Sequence, residues 1–171
     1  MTDIPSTPAD GNIRTVIATA LADTTNPALT ELDAITTVDI SCYLTPGGFA
    51  LTGDQATIPD ERECSTEVFG QPGRKTWGLQ ITGIDNTNSA NALTDNALVD
   101  VLTEGTQLYA VRRRGKAFDA AWAAADVVTV VPFKAGEKQE VAAEANSVLR
   151  SMWPSFITGS VQTDVAVAAV A

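Results

Sequence analysis

Two segments of the chain alternate cleanly between apolar and polar side chains, TTVDISCYL at 36–44 and TWGLQITGI at 76–84. Successive side chains of a strand point to opposite faces, so this two-residue period marks a strand with one face in a core and the other in water. In the first segment Val38, Ile40, Cys42 and Leu44 share the apolar face, which predicts a buried Cys42; in the second, Trp77, Leu79 and Ile81 do. IRTVIATAL from Ile13, TQLYAVR, DVVTVVPF, an extended region within 139–156 and the terminal GSVQTDVAVAAV add further strand-like stretches. The chain is thereby committed to a mainly β (α+β) fold of six to eight strands, an antiparallel sandwich or partial barrel.

One helix interrupts the pattern. Leu93, Ala97, Leu98, Val101 and Leu102 form the stripe of an amphipathic helix, with Asn91 or Thr94 as its start and Gly105 as its stop. Residues 28–34 suit a short helical turn after Pro27. Residues 1–12, with Pro5, Pro8 and Gly11, read as an extended arm. From Pro46 to Gly73 turn residues recur without a sustained period, which predicts a loop of about thirty residues, far beyond the ~12–15 at which loops become uncommon and usually functional. A length of 171 residues suits a single domain, 1–171, carrying the arm and the long loop 45–74.

The composition excludes several functions. A net charge of −10 argues against gripping nucleic acid through its phosphates, although it suits a surface past which DNA must slide. The chain has no histidine, which removes Ser-His-Asp and Cys-His catalysis and the ordinary zinc sites. No phosphate-cradling glycine motif is present. The N-terminus lacks a signal-peptide pattern, and the most apolar window is broken by Asp126 and Pro132, so a soluble protein of a reducing compartment, without membrane contact, is expected. Neither a cofactor nor a metal is called for.

The densest concentration of chemistry is PDERECSTEVFGQPGR at 59–74. Asp60, Glu61 and Glu63 are the one candidate carboxylate cluster for acid–base work, but acids beside Arg62 in a loop bounded by Pro and Gly suit a solvated contact surface better. Arg112, Arg113 and Arg114 form the only dense basic run, a strand end suited to an acidic neighbouring subunit. Asp60, Glu61, Arg62, Glu63, Phe69, Arg74, Arg112, Arg113 and Arg114 are therefore the expected subunit-interface residues. Trp77 has the phase of a core residue, and whether Cys42 and Cys64 pair is open.

DISCYLT at 39–45, DERECST at 60–66, FGQPGR at 69–74 and GSVQTDVAVAAV at 159–170, in that order, resemble the major tail (tail tube) proteins of long-tailed phages infecting actinobacteria. The resemblance implies a β-sandwich with one flanking helix, six copies closing into a ring with a continuous inner barrel, and rings stacking into a tube. It further implies that loop 45–74 reaches a neighbour and that the arms latch the stack. The tube would assemble in the host cytoplasm around a tape-measure protein, and in the virion its acidic lumen would conduct double-stranded DNA into the host. Another β-sandwich virion component, such as a tail terminator or decoration protein, or an acidic binding domain, is the alternative.

Overall fold

In the computed structural model, which describes residues 4–169, β1 (Ile13–Ala18) lies where two cores meet. It sends Ile17 into one and Val16 and Ala18 into the other. Its partner β5 (Gln107–Arg114) divides likewise, with Leu108 and Ala110 on the first face and Val111 on the second. So does β6 (Val127–Ala135), with Val131 and Phe133 opposite Val128 and Val130. Burial on both faces explains why β6, VVTVVPFKA, reads as a near-continuous apolar run rather than an alternating one.

The described residues form one antiparallel sheet of nine strands, its main path β2-β1-β5-β6-β8-β4-β3, where β2 is Thr37–Asp39, β3 Leu44–Asp60, β4 Phe69–Ile84 and β8 Arg150–Ile157. Two short strands lie off that path: β7 (Gln139–Glu140) pairs with β8, and β9 (Gln162–Ala166) with β6. One edge of β6 is shared, since Val127–Val130 pairs with β9 while Phe133–Ala135 pairs with β8. The change of partner brackets Pro132, which has no N–H to donate to either. The sheet does not close, and β2 and β3 are its ends.

It does curl. Leu79 and Ile81 of β4 and Trp153 of β8 meet Leu108, Val131 and Phe133 from the other arm of the sheet. A short helix, α2 (Ala97–Val101), closes this core with the fully buried Leu98. Gly83 admits it, because a Cβ there would lie 2.2 Å from Leu98 Cδ2. The second core is covered by Leu32 of α1 (Leu29–Leu32), Leu21, Trp122 and Val167.

Four expectations change. The stretch 46–73 is no irregular loop: β3 and β4 run through it as one hairpin, leaving only 61–68 between them. β2 ends at Asp39 and the chain turns, with Tyr43 and Leu44 N–H donating to Ile40 C=O at 3.0 and 3.2 Å, so Cys42 is exposed rather than buried. The helix starts after Asn96, whose side-chain oxygen accepts from Asn86 N–H at 3.0 Å, while Leu93 is fully exposed on the preceding turn. Trp77 is half-buried and lies flat over Gly53, where a Cβ would come within 2.7 Å of its ring. Of the arm, residues 1–3 fall outside the described residues, as does Val170 of the last predicted strand.

Arg113 is the other departure from a surface reading. Its position on β5 turns it into the second core, where it is 1% exposed. Nη1 donates to Asp126 Oδ2 at 2.9 Å and to Ala121 C=O, and Nη2 donates to Ala117 and Ala120 C=O. Arg113 and Arg14 also lie against the Trp122 ring, at 4.8 and 5.0 Å from its centroid. The buried Asp126 takes a further bond from Lys116 and one from Ala123 N–H. Burial raises the Asp126 carboxyl, but the bonds from Lys116, Arg113 and Ala123 outweigh it, and the net shift is downward.

A depressed native pKa contributes stability that is present above the unfolded aspartate value of about 3.9 and is lost as pH falls through the native value. Asp126→Asn leaves Arg113 buried without its counter-charge and should cost roughly 3–5 kcal/mol at pH 7. In chemical denaturation, that gap from the wild type should narrow steadily as pH drops below ~3.9.

Candidate functional site

The β3–β4 hairpin is anchored in the first core through Leu79 and Ile81, with Phe49 and Leu51 packed against it. β4 pairs with β8 only over Leu79–Ile84, so from Gly78 outward β3 and β4 have no ladder partner but each other. Residues 52–59 are exposed throughout, and the returning strand is exposed from 69 to 76 apart from Gly73. From Thr52 to Asp60, eight steps at ~3.3 Å project the hairpin about 26 Å beyond its support. Both long edges of this ribbon therefore carry a row of unpaired backbone donors and acceptors, the usual template for strand addition.

Near the tip the side chains sort by register. Asp60 opposes Phe69 and Ile58 opposes Gln71, which puts the four on one face. Ile58 and Phe69 are 54% and 56% exposed, with Val68 beside them at 65%. Arg62 clamps Asp60 in a two-pronged pair, Nη2 to Oδ2 at 2.9 Å and Nε to Oδ1 at 3.2 Å, and Gln71 Nε2 donates to Oδ2 at 3.3 Å. These bonds, that of Arg62 foremost, hold the Asp60 carboxyl below its ordinary range. Ser65 shapes the turn, its N–H donating to Arg62 C=O at 3.0 Å and its hydroxyl to Glu67 C=O at 2.8 Å. Glu61, Glu63 and Glu67 are exposed and, among the described residues, form no ion pair.

The structure thus brings Asp60, Glu61, Arg62, Glu63 and Phe69 together at the tip and puts Arg74 lower on the returning strand. Arg112, Arg113 and Arg114 belong to the opposite arm of the sheet and do not act as one patch. Arg113 is buried, which removes it from the expected interface; Arg112 is half-buried against Phe49; only Arg114 is exposed. Ile58 and Val68 were not among the expected contact residues. Their signal was an apolar residue on a polar ribbon, visible only once the ribbon is known to be a hairpin. At the tip Glu61 and Glu63 are exposed and the half-buried Asp60 is held by Arg62, so the three carboxylates lack the shared burial that tunes a catalytic pair. Among the described residues no group of three or more Cys, Asp or Glu is placed to hold a metal.

The model of the phage tail tube protein family matches residues 1–170. The chain belongs to that family. Two solved structures share its fold: a six-fold symmetrised anti-feeding prophage baseplate, at 8% identity and TM-score 0.56 over 95% of this chain and 98% of that one, and the SPP1 tail tube, at 10% identity and TM-score 0.54 over 91% and 79%. No curated protein matches. A phage tail tube protein is a structural component of a virion, and its exposed hairpin is the natural place to look for contacts with other copies.

Substitutions there should spare the fold. Ile58→Ser with Phe69→Ser removes apolar surface already in water, so the isolated subunit should keep its stability within about 0.5 kcal/mol in chemical denaturation.

Proposed function

We propose that the protein is the major subunit of a tail tube, six copies closing into a ring and rings stacking end to end, assembled in the host cytoplasm with a tape-measure protein. The observation that carries this reading is the open sheet: among the described residues, a hairpin about 26 Å long has two unpaired edges, and the other end of the sheet, β2, has no further strand partner. Closure by repetition satisfies such edges and prevents unlimited edge-to-edge growth. The six-fold symmetry of the related baseplate supports the ring number.

The hairpin, with Asp60, Glu61, Arg62, Glu63, Phe69 and Arg74, contacts a neighbouring subunit, and the N-terminal arm latches the stack. The exposed face of the β3–β4 ribbon near its support, Ala50, Thr52, Asp54, Thr76, Gly78, Gln80 and Thr82, lines the lumen. That strip carries one acid and no cation, so in a chain of charge −10 it offers passing phosphates nothing to bind.

Concentrated purified protein should form rings or tubes in negative-stain micrographs. Replacing residues 54–75 by a two-residue turn should leave a cooperatively folding monomer that forms neither. A shortened variant that still builds tubes would remove the hairpin from the assembly. For the lumen, phage carrying Thr52→Lys should eject DNA more slowly, with a rate that recovers in high salt; unchanged kinetics would count against this strip facing the DNA.

A further inference from the structure

Six of the described cations, Arg14, Arg62, Arg113, Lys116, Lys138 and Arg150, each hold a carboxylate. Arg74, Lys75, Arg112, Arg114 and Lys134 do not, and all of these except Arg112 are exposed. Arg112 is held in place without being neutralised. Its guanidinium lies 4.7 Å from the centroid of the Phe49 ring, Nη1 donates to Phe49 C=O at 3.3 Å, and its buried Nε has no partner. Burial and the neighbouring Arg114 both push its pKa down, the direction expected of a cation lacking a counter-charge. It lines a cavity of about 410 Å³ whose other walls include Gly11, Cys42, Gly48 and Phe118. Asp10 lies on that wall without pairing with it.

We propose that this cavity receives a carboxylate from the hairpin tip of a second copy of the chain, an inference that rests on reading the protein as a self-assembling tube subunit. The tip offers Glu61, Glu63 and Glu67, all exposed, while its one cation, Arg62, is occupied by Asp60. The donor must be another copy. Phe49, on the cavity wall, and Asp60, at the tip, lie on the same strand eleven steps apart, so the extended β3 keeps them roughly 36 Å from each other. A guanidinium already stacked and oriented on an aromatic ring accepts a carboxylate in a fixed geometry, which suits it to setting the register between subunits. The pairing also brings the two native cysteines into proximity, since Cys42 lines the cavity and Cys64 lies in the tip.

The test uses the full-length protein assembled into tubes. A short bis-maleimide should link Cys42 of one copy to Cys64 of the next and give a ladder of covalent multimers, lost in both Cys42→Ser and Cys64→Ser. Arg112→Gln should raise the critical concentration for assembly by about tenfold or more, as should Glu61→Gln, Glu63→Gln and Glu67→Gln combined; joining the two sets should add little further. Wild-type protein that never forms rings or tubes overturns both this inference and the reading beneath it. Wild-type tubes that yield no Cys42–Cys64 link, or an Arg112→Gln variant that assembles like the wild type, overturn this inference alone.

Discussion

An open β-sheet must leave some backbone hydrogen-bonding groups to water, and here the longest free edges lie on one ribbon. The outer edge of β3 and the edge of β4 from Phe69 to Gly78 have no strand partner among the described residues. Soluble proteins usually blunt such edges with bulges, prolines or covering segments, because an exposed edge recruits other strands. From Thr52 outward this hairpin has one irregularity, between Gln55 and Thr57, and its prolines there sit near the tip at Pro59 and Pro72. The rest of its length stays available for pairing.

A ribbon that projects so far can present its edges only if its base is rigid. The base is fixed from both sides. Trp153, Leu79 and Ile81 anchor β8 and β4 in the first core, and the Arg113–Asp126 pair, under Trp122, ties the 115–126 segment over the second. Buried polar groups of this kind cost desolvation but admit one geometry, which serves a subunit whose copies must all be alike. Packing and the proposed subunit contact meet on β5: one strand sends Arg113 into a core and leaves Arg112 facing a cavity.

Much of the fold was legible in the sequence, and the misses share a cause. Strands are recognised by contrast between their faces, so TWGLQITGI with its buried Leu79 and Ile81 was plain, whereas 46–73 lost the contrast because both faces of the hairpin are wet. Its glycines and prolines, which usually signal turns, here permit close packing such as Trp77 over Gly53. Cys42 had the phase of a core residue, but the strand turns two residues earlier, after Ile40. The arginine run looked like one patch because adjacency was read as common exposure; strand alternation, together with Asp126 inside an apolar stretch, was the available clue that the middle arginine points inward. The tip residues 60–63 lie together in the structure because their neighbourhood is local in sequence.

In the proposed tube, a surface that is acidic on balance and a hairpin offering free backbone edges complement each other: charge would keep subunits apart at random encounter, and only aligned edges would overcome it. The central claim is that the hairpin edges find their partners in another copy. Amide hydrogen exchange compared between soluble subunits and sedimented assemblies tests it most directly. The account predicts that amides on the free edges of residues 50–60 and 69–78 exchange fast in the subunit and become strongly protected on assembly. Equal exchange in both forms, with protection gained elsewhere, would contradict it.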